Sequence, residues 1–297
     1  MSSISSKTKV YSVIGHPVSQ SFSPKIHNYL FEKYDIDAVY VSYDVNPDRV
    51  KEGIEGIRHL GIMGTNVTIP HKIEVMKYLD EIDEKAKLFG AVNTIKNVDG
   101  KLYGYNTDGT GLTKSIRDSS GEDIKGKKVL IIGAGGACRS IAIQLAIEEA
   151  ASIEIVNRSI EKAQIIADTI NSHFETKAIA SSKTITQDDI DNVDILINTT
   201  PIGMGTDESP IDTSLVPPKN MIVADAVYKP HETALIKWGL KYNLKIAYGI
   251  QMLINQGIHS FSIWTGVNPT LEDTENILKI FLEQQKMHKI CIYKYRF

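Results

Sequence analysis

The sequence predicts an α/β protein organised as two domains. Three observations carry that reading. The chain has 297 residues, about twice the length of one ordinary domain. Two successive series of short apolar runs alternate with helical segments, the pattern of strand–helix layers. A polar, turn-rich break, Asp118-Ser119-Ser120-Gly121-Glu122-Asp123, separates them.

Composition narrows the class. Hydrophobic residues make up 42% and charged residues 23%, ordinary for a globular chain able to bury a core. A net charge of -3 gives no basis for a nucleic-acid or membrane-surface partner. Cys138 and Cys291 lie far apart, and the eight histidines show no ligand spacing with Cys, Asp or Glu, so no metal site is expected. The polar N-terminus lacks the apolar core of a signal peptide, and no uncharged stretch approaches the ~20 residues that span a bilayer. The expectation is a soluble cytoplasmic protein, monomer or homodimer, with a small-molecule substrate.

The first series opens with Val10–Gly15, a buried strand ending at a Gly-His-Pro turn. Ser23-Pro24 then starts a helix, Ser as cap and Pro at the first helical position, with Ile26, Leu30 and Phe31 at helical spacing. Ala38–Val45 is the second strand. Asn46-Pro47-Asp48 leads into a helix through about His59, and Ile62–Ile69 is a third strand stopped by Pro70, with a helix to follow. A strand pair follows around Ala91–Ile95 and Leu102–Tyr105, joined by Asp99-Gly100. A helix from about Thr110 to Arg117 closes the series.

The second series places strands at Val129–Ile132, Ile153–Val156, Thr176–Ile179, Ile195–Asn198, Ile222–Asp225 and Lys245–Tyr248, mostly with helices between. That is the size and order of a doubly wound, parallel-sheet Rossmann domain. Helical sequence at Met252–Thr265 and Leu271–Gln285 can return to the first domain. The expected boundaries are therefore 1–109 with 248–297, and 110–247.

The run VLIIGAGGACRS puts Gly133, Gly135 and Gly136 directly after a buried strand and before an apolar helix. Glycine suits a sharp turn whose backbone must approach a pyrophosphate, with helix amides facing the anion. Cys138 occupies the third glycine position, so the fingerprint is imperfect. Dinucleotide enzymes that use NAD carry an acid at the end of the next strand, to bond the ribose hydroxyls. Here stand Asn157, Arg158 and Ser159, then Lys162. Without the carboxylate a 2′-phosphate is not repelled, and Arg158 supplies paired donors. NADP(H) is favoured, with NAD(H) as the alternative; the plainer reading is a solvated basic pair at a helix start.

Four clusters in the first series offer hydroxyls, amides, an amine and a carboxylate: Ser21-Phe22-Ser23-Pro24, Asn66 to Lys72, Gly90 to Thr94, and Asn106-Thr107-Asp108-Gly109. Each lies at a strand end or in the next loop, where α/β folds assemble ligand sites. The mixture suits a small polyhydroxylated substrate. Taken singly, each has a plainer explanation: Ser23 caps a helix, Lys72 is solvated, and Asn106 and Asp108 make Asx turns.

Taken in order, SFSP, NVTIPHK, GAVNT, YNTDG, GAGGACRS, NTTPIGM, DAVYKP and GIQMLINQG resemble the shikimate/quinate dehydrogenase family, over Gly15 to about Pro269. The resemblance implies reversible NADP(H)-dependent reduction of 3-dehydroshikimate to shikimate, in aromatic amino-acid biosynthesis. It implies Lys72 as the catalytic lysine and Asp108 as its partner, with Ser21 and Ser23 holding the substrate carboxylate. Thr68, Asn93, Tyr228 and Gln256 fall on further substrate positions. Gly133, Ala134, Gly135, Gly136 and Ala137 match the phosphate loop; Asn157, Arg158 and Ser159 match the adenosine side, with Lys162 as an addition. Ala226 and Gly249 sit where backbone nears the nicotinamide, and Glu84 matches a cofactor position.

Reduction of a ketone leaves negative charge on oxygen, which an ammonium at Lys72 stabilises and protonates; Asp108 is expected chiefly to orient Lys72. His71 and His16 are expected to pack or turn. Serine at both SFSP positions and the Asn-Arg-Ser stretch weaken a quinate/NAD reading. The retained Lys72 and Asp108 weaken that of a non-catalytic regulator, and a methylene-tetrahydrofolate-type dehydrogenase leaves SFSP and NTDG unexplained. Residues 286–297 carry four Lys/Arg and no acid, read as a tail or a subunit contact.

Overall fold

The structure is a computed structural model that describes the backbone over residues 4–294 and the side chains as far as residue 285. The basic segment 286–297 lies outside the residues whose side chains are described.

The first sheet uses β1 (Lys9–Gly15), β2 (Ala38–Asp44), β3 (Gly64–Val67), β4 (Glu81–Ile82), β5 (Thr94–Val98) and β6 (Lys101–Tyr105) in the order β2-β1-β3-β5-β6-β4. Strands β1, β2 and β3 run parallel. Strand β5 is antiparallel to both β3 and β6. Asp99 and Gly100 join β5 to β6 with φ of +52° and +87°, the two positive values a tight hairpin turn requires. The helices of this half are α1 (Ser23–Lys33), α2 (Val50–His59) and α3 (Glu84–Phe89).

Helix α4 (Asp108–Ser120) leads to the second sheet, whose strands are β7 (Lys128–Ile132), β8 (Ser152–Val156), β9 (Lys177–Ser181), β10 (Ile195–Asn198), β11 (Ile222–Asp225) and β12 (Lys245–Ala247). Their order is β12-β11-β10-β7-β8-β9, and every pairing is parallel. This is the doubly wound arrangement, and it reverses between β7 and β10. Helices α5 (Gly136–Ile147), α6 (Ile160–His173), α7 (Gln187–Asp191) and α8 (Ala234–Lys241) belong to it. Fully apolar strands such as Leu130-Ile131 and Leu196-Ile197 are buried, as a sheet covered on both faces demands.

The chain ends in α9 (Gly249–Thr265) and α10 (Leu271–Lys294). Ile250, Ile254, Phe261, Trp264, Ile277 and Phe281 share one core with Tyr11, Phe22, Ile26, Leu30, Phe31 and Tyr40. The C-terminal helices therefore bury their apolar face against the first sheet and α1. Helix α4 sits between the halves, packed on both α9 and α5. Its glycines permit this. A β-carbon on Gly109 would come 2.6 Å from Ser140 O, and one on Gly111 2.8 Å from Gln256 Cβ.

Several local expectations need correction. Ser23 is not a cap: Phe22 holds that position, already near helical dihedrals, so Ser23 and Pro24 are the first two helical residues. The third strand is confined to Gly64–Val67, because the chain turns outward at Thr68 and leaves Ile69 exposed. Pro70 leads into a 3₁₀ turn over Glu74–Tyr78 rather than a full helix, since only Val75 of that turn is buried. Strand β4 was not expected, and β5 starts at Thr94 because Ala91–Asn93 form a loop.

Candidate active site

Lys72 and Asp108 meet at the junction of the two halves. Lys72 Nζ donates to Asp108 Oδ2 at 2.6 Å, with the side chains 16% and 5% exposed. Lys72 lies in the loop after β3, and its carbonyl accepts from Val92 N at 2.8 Å. Asp108 is the first residue of α4, where a carboxylate also faces the helix N-terminus favourably.

Asn93 is the hub beneath them. Its Nδ2 donates to Asp108 Oδ1 and Thr107 Oγ1, both at 2.9 Å, and to Gln256 Oε1 at 3.2 Å. Its Oδ1 accepts from Thr107 N at 2.8 Å and Thr94 Oγ1 at 2.9 Å. Behind it, Asn66 Nδ2 donates to Asn93 O at 3.2 Å and Ser260 Oγ at 3.0 Å, while Asn66 Oδ1 accepts from Tyr40 OH at 2.7 Å. Such a satisfied buried network holds one geometry and exposes a fixed polar face.

The serine loop joins at the other end. Ser21 Oγ accepts from Ser23 N at 3.3 Å, and Ser23 is itself buried. Tyr228 lies beside Phe281 in the shared core, and burial pushes its phenol pKa up. Lys229 Nζ donates to Gln20 O at 3.4 Å. Thr68 begins the turn to Lys72, its carbonyl accepting from His71 N at 3.0 Å. His71 is buried against the Val45 carbonyl at 2.7 Å. His16 sits at the first turn, 2.6 Å from Asp44.

On the other side a cleft of about 690 Å³ opens at the reversal of the second sheet. It is lined by Gly133, Ala134 and Gly135 after β7, Asn157 and Arg158 after β8, and Thr199 to Ile202 after β10. Gly133 has φ of +105°, and a β-carbon there would come 2.7 Å from Thr199 Oγ1, so only glycine fits. Gly136 and Ala137 open α5, whose free amides face an anion arriving at the turn. The volume and the anion cradle fit a dinucleotide. Arg158 is exposed and in no ion pair among the described residues. Asn157 Nδ2 donates to Ser159 O at 2.8 Å, bracing the loop.

Ala226 and Gly249 are brought together. Ala226 N donates to Asn198 O at 2.9 Å, and Gly249 backs onto the same loop, where a β-carbon would lie 2.5 Å from Val227 O. That loop is set by Asp225, buried and accepting from Asn198 Nδ2 and Val227 N at 2.9 Å and from Thr233 Oγ1 at 2.6 Å. Burial nevertheless pushes its carboxyl up to about 6.

Two expected residues stand apart. Glu84 opens α3 with its side chain 86% exposed, paired with Lys87, and lines a separate surface hollow with Leu79 to Ile82. Lys162 is exposed on α6 and does not line the cleft. Conversely, Tyr40, Asn66, Thr94, Thr107 and Ser260 were not singled out from sequence. Asn66, Thr94 and Thr107 lay inside recognised clusters; nothing in sequence marks Tyr40 or Ser260, which arrive from β2 and α9.

Three family models match in succession. They are the shikimate dehydrogenase substrate binding domain over residues 13–95, shikimate / quinate 5-dehydrogenase over 115–203, and the shikimate 5′-dehydrogenase C-terminal domain over 249–279. The shikimate dehydrogenase (NADP(+)) of Methanocaldococcus jannaschii is 48% identical over 281 residues, covering 93% of this chain and 98% of that protein. That of Methanococcus maripaludis is 45% identical over 268 residues, covering 90% and 95%. A crystal structure of a shikimate dehydrogenase in complex with NADP+ superposes with a TM-score of 0.83 at 45% identity, covering 93% of this chain and 96% of that one. The chain belongs to the shikimate/quinate dehydrogenase family.

Proposed function

We propose that the chain is an NADP(H)-dependent shikimate dehydrogenase, interconverting 3-dehydroshikimate and shikimate on the route to chorismate and the aromatic amino acids. The observation that carries this is the Lys72–Asp108 pair at 2.6 Å, rimmed by Asn93, Thr107 and Gln256 and set against the helix that follows the glycine turn. A ring bearing hydroxyls and one carboxylate matches that set of donors and acceptors. Ser21 and Ser23, with Tyr228 beside their loop, take the carboxylate; Asn93, Gln256 and Thr68 take ring hydroxyls.

Gly133 to Ala137 hold the pyrophosphate, and Asn157, Arg158 and Ser159 hold the adenosine side, Arg158 pairing with the 2′-phosphate. Ala226 and Gly249 supply backbone at the nicotinamide. Bound NADP(H) supplies or accepts the hydride. Lys72 donates the proton to the substrate oxygen in reduction and accepts it in oxidation, while Asp108 keeps Nζ aimed at that oxygen. The assignment of residues 1–109 with 248–297 as substrate domain and 110–247 as cofactor domain is supported by the two separate sheets and by the core that α9 and α10 share with β1, β2 and α1. No helix among the described residues is long and apolar enough to cross a membrane; we place the enzyme in the cytoplasm, where a free thiol such as Cys138 persists.

The deciding experiment mixes the protein with shikimate and either NADP or NAD and follows the absorbance of the reduced nicotinamide. Turnover with shikimate and a clear preference for NADP is expected. A folded protein that turns over nothing would overturn the enzymatic reading, and equal rates with NAD would overturn the role given to Arg158.

A further inference from the structure

We propose that Asn106 and Ser140 are positioning residues that tie the glycine turn to the catalytic pair, so that cofactor and proton donor are held on one frame. The proposal deepens the dehydrogenase reading above and rests on it for its kinetic consequence.

The connection is a directed chain of hydrogen bonds. Ser140, on α5, donates through Oγ to Gly136 O at 3.3 Å, at the very start of that helix. The same Oγ accepts from Asn106 Nδ2 at 2.8 Å. Asn106 Nδ2 also donates to Ala91 O at 2.8 Å, gripping the loop that carries Asn93. Asn106 Oδ1 accepts from Asp108 N at 3.0 Å, and Asp108 Oδ2 accepts from Lys72 Nζ at 2.6 Å. No donor is used twice for incompatible ends, and Asn106, Ser140 and Asp108 are all buried.

Packing reinforces the chain. Gly109 allows the first turn of α4 to lie directly on α5, within 2.6 Å of Ser140 O for a hypothetical β-carbon. Asp108 is thus tied through its backbone to α5, the element expected to hold the pyrophosphate, while its carboxylate holds Lys72. Neither Asn106 nor Ser140 lines the dinucleotide cleft, and neither belongs to the serine loop. Their contribution is geometric. Hydride transfer requires reacting atoms held within a narrow range of distance and angle, and loosening the frame lowers the fraction of bound complexes that meet it.

Ser140→Ala cuts the chain at α5. Asn106→Ser keeps a short acceptor for the Asp108 amide, yet cannot reach Ser140. Ser140→Ala is expected to lower kcat about tenfold with KM for shikimate held within about twofold, because it leaves the Asn93 loop gripped; Asn106→Ser, which also releases the Ala91 carbonyl, is expected to lower kcat at least as much. The double variant is expected to lose no more than Asn106→Ser alone, since one chain is cut once. Ser115→Ala, which removes a buried hydroxyl bonded only within α4, is expected to leave kcat unchanged while lowering stability. Unchanged kcat in Ser140→Ala, or losses that multiply in the double variant, would overturn the proposal.

Amide hydrogen exchange at Asp108 reads the same chain without turnover. Faster exchange in Ser140→Ala than in the parent protein is expected, and an unaltered rate counts against the coupling even if shikimate proves not to be the substrate.

Discussion

Lys72 Nζ lies 2.6 Å from Asp108 Oδ2, although the residues are 36 positions apart and enter from a loop after β3 and from the start of α4. The second carboxylate oxygen is occupied by Asn93 Nδ2 at 2.9 Å. Asp108 therefore has both oxygens engaged and can hold the lysine in one direction.

Lys72→Ala should reduce kcat by about 10²–10⁴ while leaving the far-ultraviolet spectrum and NADP affinity near those of the parent. Turnover within a few-fold of the parent would show that the proton travels by another route.

Arg158→Ala should raise KM for NADP by about 10–100-fold, the worth of a charged hydrogen bond, and change KM for NAD little. Only NADP carries the extra phosphate, and Arg158 makes no ion pair among the described residues that its removal would disturb. A parallel rise for both cofactors would assign Arg158 to loop structure instead.

Gly111→Ala tests the junction helix. The new methyl would meet Gln256 Cβ at 2.8 Å, Gln256 N at 2.9 Å and Met252 O at 3.0 Å. Two of these are backbone atoms, so α4 and α9 must separate. Urea unfolding should show a loss of about 1–3 kcal/mol, and KM for shikimate should rise because Gln256 moves. An unchanged midpoint would mean the helices can part freely.

Asp225 carries a pH signature. Its carboxyl is raised to about 6 by burial, above the ~3.9 of an unfolded chain. A raised pKa contributes stability that is complete below the unfolded value and lost as pH climbs through the folded one. Asp225→Asn removes that loss. The variant's stability relative to the parent should therefore improve by about 1 kcal/mol between pH 5 and pH 7.5, read from thermal or urea unfolding. A gap independent of pH would mean that the three donors around Asp225, rather than burial, set its ionisation.

Much of this architecture was legible in the sequence because its signals are local. The buried strand VLII followed at once by Gly133 and an apolar helix is a contiguous pattern, and all six strands of the second sheet fall where apolar runs place them. The Asp99-Gly100 turn is likewise a short-range instruction. Elements decided by weak or distant contacts were less legible. Of residues 73–78 only Val75 is buried, so nothing local distinguishes a 3₁₀ turn from a helix, and the two-residue β4 exists only through its pairing with β6. Ser23 reads as a cap by type, yet it lies inside the helix, one residue past the cap position that Phe22 holds.

For the site the division is sharper. Ordered motifs identify Lys72, Asp108, Asn93 and Gln256 as candidates, because residue type and spacing travel with the chain. Their assembly depends on burial of apolar surface far from the chemistry: α9 seats on the first sheet through Phe261 and Trp264, which brings Gln256 to Asn93 and Ser260 to Asn66 and Thr94. The sequence thus determines which groups are available and which turn they ride on. The tertiary structure decides that Lys72 faces Asp108, that Asn106 reaches Ser140, and that Glu84 points away to solvent, since hydrogen bonds between distant segments form only after packing has dried and aligned them.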